Sequence, residues 1–240
     1  MSGFKDVVGH KDIIKYMKNA VEQNKLSHAY ILNGQRGSGK KLLARLFAMT
    51  LQCESGESEP CNSCRSCVQT TNGNQPDIIT VKHEKPTSIS VDDIREQLNG
   101  DIMIKPYSSR YKIYIIPEAD LMTVQAQNAL LKTLEEPPAH AILILATTEP
   151  QKIPATIQSR CQRFDFRRIS AKNIAGRIGE ITRKDGINIT PDAIQLVAQL
   201  GDGSMRDALS ILDLCSGIEG EITREDIENV TGSVSRTALV

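Results

Sequence analysis

The sequence predicts an α/β fold, a parallel five-stranded sheet followed by a small all-helical domain, and three observations carry that prediction. Short apolar runs alternate with helix-patterned segments over the first two thirds of the chain. Two of these runs, 112–116 and 141–146, are apolar at nearly every position, as a strand covered on both sheet faces must be. After Phe166 the strand-like runs stop and only helical patterns follow. Strands alternating with helices are the signature of a parallel, doubly wound sheet.

In chain order the predicted strands are 29–32, 77–81, 112–116, 141–146 and a weaker one at 163–166. Ile13, Met17, Ala20 and Val21 share one helical face, and so do Leu43, Leu46, Phe47 and Thr50. Met122, Ala126, Ala129, Leu130 and Thr133 mark a third helix, which Pro137-Pro138 must end. From about Ile169 the expected helices are 171–184, 191–199, 205–216 and 224–230. Thr190 before Pro191 is an N-cap followed by proline at the first helical position, and Thr223 is a similar cap. The expected boundaries are 1–167 for the sheet domain, with an insert at about 53–67, and 168–232 for the helical domain. The polar tail 233–240 reads as a truncated linker toward a missing domain.

With 240 residues, 40% hydrophobic and 24% charged, the chain has an ordinary soluble balance. Lysine plus arginine equals aspartate plus glutamate at 29 each, so bulk charge gives no argument for nucleic-acid binding. No apolar run approaches the roughly 20 residues of a membrane span, and the N-terminus lacks the pattern of a signal peptide. A cytoplasmic protein with no membrane partner is expected, its six cysteines reduced or metal-bound.

Residues 31–40 run from a strand into a glycine-rich loop and then a helix, and Gly34-x4-Gly39-Lys40 has the spacing of a phosphate-binding Walker A loop. Backbone N–H groups around Gly34, Gly37, Ser38 and Gly39 would face a phosphate, the helix N-terminus adds its dipole, and Lys40 reaches the β- and γ-phosphates. A glycine turn beside a surface lysine is the bland alternative. The motif then requires a hydroxyl to hold magnesium, and the chain has Lys41 there instead. Residues 112–120 read as the acidic Walker B strand, which ends in two acids, one for magnesium and one to polarise the attacking water. Pro117 occupies the first position and Glu118 the second, while Asp120 reads as a helix-terminus charge. ATP or ADP is thus the candidate ligand, magnesium is held badly, and turnover is expected to be weak or absent. A merely vestigial site is the competing reading.

Cys53-x7-Cys61-x2-Cys64-x2-Cys67 is the spacing of a closed, structural four-thiolate zinc site. The iron–sulfur alternative lacks its further Cys-x3-Cys-Pro. Cys215 reads as a small buried hydrophobe.

Taken together, His28-Ala29-Tyr30, the loop, the four cysteines, the run 127–138 ending Glu-Glu-Pro-Pro, Ala146-Thr147-Thr148-Glu149-Pro150, Ser159-Arg160-Cys161 and the run 201–209 resemble the AAA+ clamp-loader subunits of bacterial DNA polymerase III, delta-prime and gamma/tau. That resemblance implies partners: other subunits in a hetero-oligomeric ring, a sliding clamp, and primed DNA reached through the assembly. It implies that Arg160 enters a neighbour's ATP site in trans, with a structural ion pair as the alternative. It implies that Thr148, beside Thr147, senses the γ-phosphate, and that Arg206 is a sensor on the helical lid, with a surface arginine as the alternative. The degenerate loop and Pro117-Glu118 lean toward delta-prime; residues 146–154, 162–166 and 203–207 lean toward gamma/tau. An active ATP motor and a P-loop regulator outside the loader are the competing functions. The resemblance also implies a third, oligomerising domain, missing from this chain.

Overall fold

All five strands pair in parallel into one sheet, in the order β2-β3-β4-β1-β5, where β1 is Ala29–Asn33, β2 Ile78–Thr80, β3 Lys112–Ile116, β4 Ala141–Thr147 and β5 Gln162–Asp165. The computed structural model describes residues 3–218 and 220–232; the expected linker 233–240 lies outside them. The described residues divide into two compact units, one of residues 3–34 and 40–166, the other of residues 35–39, 167–218 and 220–232.

Continuous apolarity of the central strands has its cause in the first unit. Ile31, Tyr114, Ile116, Leu143 and Leu145 point to one face, where Ile94, Leu98, Leu130 and Ile157 cover them. Tyr30, Leu32, Ile113, Ile115, Ile142 and Ile144 point to the other, against Met17, Leu43 and Phe47. Alternating side chains therefore meet helices on both sides, and the polar residues of β3 and β4 stand only at strand ends, Lys112 and Thr147, apart from the Tyr114 hydroxyl. Truncating one such side chain, Leu143→Ala for instance, would cost ~2–5 kcal/mol.

Helices α1 (Lys11–Glu22), α2 (Lys40–Leu51), α3 (Arg65–Asn72), α4 (Val91–Ile94), α5 (Val124–Glu135) and α6 (Ala155–Gln158) complete this unit. The sequence pattern started α5 at Met122; the helix starts at Val124 instead. Thr123 is its N-cap, accepting from the Ala126 N–H at 3.3 Å, and Met122 pairs with Ile89 in a short bridge before it. The weakest strand is also displaced: β5 covers 162–165, and Phe166 beyond it is buried. Two elements carry no clear sequence signal: α3 inside the cysteine insert, and a π-helical turn, Arg95–Asn99, continuing α4.

The second unit holds α7 (Ala171–Asp185), α8 (Pro191–Leu200), α9 (Met205–Cys215) and α10 (Arg224–Thr231). Ser170, Thr190, Ser204 and Thr223 each cap the following helix through the side-chain oxygen. Ile174, Ile178, Val197, Leu212, Cys215 and Ile227 are buried there.

Candidate nucleotide and metal sites

In an open parallel sheet, ligands bind beyond the carboxyl ends of the strands. Here those ends carry Gly34 after β1, His83 after β2, Glu118 after β3, and Thr147 and Thr148 at the end of β4. Gly34 N–H is tied to the Thr147 carbonyl at 3.1 Å. Lys40 is the first residue of α2; it is buried, and its ammonium donates to the Gly34 carbonyl. Gly37 and Gly39 have φ of 73° and 93°, the left-handed region that lets successive N–H groups turn inward. Ser38 is buried. Within the second unit, a Cβ on Gly37 would lie 1.8 Å from Ser204 Oγ and 3.4 Å from Arg206 Cβ, so only glycine fits. Arg206 itself is exposed in the first turn of α9.

Lys41 does not stand idle where the hydroxyl was expected. Its ammonium lies 3.2 Å from Glu118 Oε1, and His83 Nε2 lies 3.3 Å from Glu118 Oε2. Both oxygens of the remaining acid are engaged. Burial pushes the Glu118 carboxyl up, but the Lys41 hydrogen bond and charge, then His83, outweigh it and hold it below its ordinary value. Pro117, with no donor or acceptor side chain, lines a cavity of about 290 Å³ together with Lys41, Arg45 and Gln75. The donor set does not fit magnesium: an ammonium, a proline and an already paired carboxylate stand where its ligands belong.

Asp120 stands at a helix start, as expected, in the first turn of the short 3-10 helix Ala119–Leu121. It does more: its Oδ1 accepts from Thr147 Oγ1 at 2.7 Å and from the Thr148 N–H at 3.0 Å, fastening the segment after β3 to the end of β4. Thr147 is buried in this bond and Thr148 is exposed. Arg160 donates to the Thr156 carbonyl at 2.7 Å and pairs with Glu135 at 3.2 Å, the side chain remaining 37% exposed. The guanidinium is thus held at the surface, with part of its donor fork facing solvent.

The four insert cysteines meet. Their Sγ atoms all lie within 4.8 Å of one another, and Cys61 and Cys67 are 4.0 Å apart. A zinc tetrahedron with Zn–S near 2.3 Å has edges of ~3.8 Å, so the donor set fits. The N–H groups of Cys61, Cys64 and Cys67 point at the sulfurs of Cys53, Cys61 and Cys64, at 3.3, 3.3 and 3.4 Å. Backbone N–H groups of Ser63 and Cys64 pull the Cys61 thiol down to about 6, whereas burial pushes the Cys67 thiol up. A cation among them would supply the positive charge that a Cys67 thiolate lacks. Met49 of α2 packs on Cys53 and Cys67, anchoring the insert to the helix that begins with Lys40.

A family model described as DNA polymerase III, delta subunit, matches residues 9–170, and one described as DNA polymerase III clamp loader subunit, ATPase lid domain, matches 173–214. The chain belongs to the DNA polymerase III clamp-loader subunits. Among curated relatives, this clamp-loader chain is 45% identical to the DNA polymerase III subunit tau of Bacillus subtilis, over 97% of itself and 41% of that protein. It is 37% identical to subunit tau of Escherichia coli, over 96% of itself and 36% of that protein. It is also 41% identical to subunit gamma of Buchnera aphidicola, over 88% of itself and 57% of that protein. The sequence likeness is thus of the tau/gamma type, and the chain spans less than two thirds of each of these relatives. Among solved structures, the RuvB Holliday junction branch migration motor of Thermotoga maritima superposes with a TM-score of 0.65 at 17% identity, over 94% of this chain and 69% of that one. That likeness shows the fold alone, the α/β P-loop sheet followed by a helical lid. No helix among the described residues is long and apolar enough to cross a membrane.

Two residues of the clamp-loader chain's site escaped the sequence reading. His83 was not singled out, and Asp120, read only as a helix-start charge, was not expected to bond Thr147. β3 and β4 are neighbours with Ile116 opposite Leu145, which brings the Asp120 segment beside Thr147, but that adjacency belongs to the fold and left no signal in the sequence.

Proposed function

We propose that this chain is a clamp-loader subunit whose own nucleotide site is catalytically silent, and that it serves a neighbour's ATP site through Arg160, in the manner expected of delta-prime. The observation that carries this reading is the Lys41–Glu118 ion pair beside Pro117. The group that should polarise water is held by two internal partners, and the metal that should neutralise the phosphates has no seat. Loss of one preorganised group commonly costs roughly 10²–10³ in rate, and here two are changed. Other subunits of a hetero-oligomeric ring, a sliding clamp and primed DNA are the partners this role needs, and the four thiolates hold a structural zinc. The sensing of nucleotide falls to Thr148 and Arg206 in this reading, on the resemblance of their sequence motifs. A second reading, an ATP-binding motor, draws on the 45% identity to a tau subunit. ATP turnover by the chain, alone and with partner subunits, separates the two. Negligible turnover alone supports the silent site; about 1 per second or faster overturns it.

A further inference from the structure

Magnesium is not the only cation that can stand beside a phosphate chain. Lys41 lies in the first turn of α2, next to Lys40, and its ammonium sits 3.2 Å from the carboxylate that ends β3. The Lys41 side chain is 64% exposed, so it has room to turn from Glu118 to a phosphate oxygen. The Glu118 carboxylate would not then be left bare, because His83 holds its second oxygen, and the His83 side chain is only 17% exposed. A divalent cation entering the same place would face the Lys41 charge and find Pro117 where a carboxylate should be.

We propose that Lys41 replaces the divalent cation, so that the site takes a metal-free polyphosphate chain with the Lys40 and Lys41 ammonium groups as its counter-charges, and magnesium weakens binding. This rests on the reading of the site as catalytically silent. The chemistry recognised is the polyphosphate; a nucleoside triphosphate and inorganic tripolyphosphate are its two sources. His83 is a positioning residue that keeps Glu118 paired while Lys41 is engaged elsewhere.

The test is calorimetric titration of the chain with ATP, and separately with tripolyphosphate, in chelator and in excess magnesium. Binding should be tighter in chelator than in excess magnesium. Lys41→Thr should weaken binding in chelator by ~10-fold or more, the worth of one charged hydrogen bond. Only the double variant Lys41→Thr/Pro117→Asp, which also restores a carboxylate, should bind better in magnesium than in chelator, inverting the order. Unchanged melting temperature and zinc content show that the variant is folded. Equal affinity for both ligands assigns the site to the phosphate chain; tighter ATP binding adds recognition of the nucleoside, and either result supports the proposal. Magnesium tightening the unaltered chain's binding tenfold overturns it. Absence of binding in both conditions overturns it too, yet leaves the silent-site reading standing, since that reading falls only to measured turnover.

Discussion

Replacing Arg160 with alanine separates a trans-acting group from a structural one, because the two roles predict losses of different size in different assays. As a structural residue, Arg160 contributes one ion pair to Glu135 at 3.2 Å and one bond to the Thr156 carbonyl at 2.7 Å. Both pair members are well exposed, at 37% and 48%, so the pair is worth ~0–1 kcal/mol and the exposed bond about as much. In a chain of this size each kcal/mol moves the melting temperature ~2–4 °C, so Arg160→Ala should lower it by at most ~8 °C. As an arginine finger the same side chain supplies ~10³-fold or more in turnover, which is ~4 kcal/mol of transition-state stabilisation. The expected outcome is a nearly unchanged melting curve and unchanged zinc content. ATP turnover in the assembled loader should fall ~10³-fold at the one interface served, with a smaller loss for the whole complex. Arg160→Lys should restore little, since an ammonium lacks the planar, two-pronged donor geometry. Glu135→Gln, which loosens the resting ion pair but keeps the arginine, should leave turnover intact. Normal turnover and clamp loading by the Arg160→Ala complex would refute the trans role and leave Arg160 as a surface ion pair.

Three further outcomes are expected. Protein purified without chelator should carry one zinc per chain, and Cys64→Ser should release it and loosen the insert while circular dichroism of the sheet domain persists; metal analysis that finds no zinc sinks the assignment. Lys41→Thr combined with Pro117→Asp should raise magnesium–ATP affinity by more than the sum of the single changes, because both groups act on one ion; strict additivity in binding free energy counts against a shared site. The Glu118 carboxyl is held below its ordinary value, so its pairing stabilises the fold above the usual glutamate pKa, near 4.3, and is lost as pH falls through the lowered value. The melting-temperature gap between the chain and Glu118→Gln should therefore be fullest near pH 7 and narrow as pH falls below the ordinary glutamate range; a gap that stays as wide in strong acid would show that the ion pair is not its source.

How legible each feature was depends on how far its cause reaches along the chain. β3 and β4 could be placed from sequence because helices on both faces demand an apolar side chain at nearly every position, a local signal. β2, at the sheet edge with half-buried Ile78 and Ile79, and β5, at the other edge, had blurred ends for the same reason reversed. The meeting of the four cysteine sulfurs is also local, and the spacing of Cys53, Cys61, Cys64 and Cys67 announced it. The site's polar partners are not local. His83 meets Glu118 across 35 residues and Asp120 meets Thr147 across 27, and neither apolar periodicity nor capping says which polar residue past a strand end faces which. Lys41 shows the consequence most clearly. By motif it is only a missing hydroxyl, and Pro117 only a missing acid. In space Lys41 and His83 together satisfy the one acid that remains, so the two departures from the motif belong to one arrangement. Restoring threonine alone would leave Glu118 with His83 and still leave magnesium without its carboxylate, which is why the motif has to be repaired at both positions before it regains a metal.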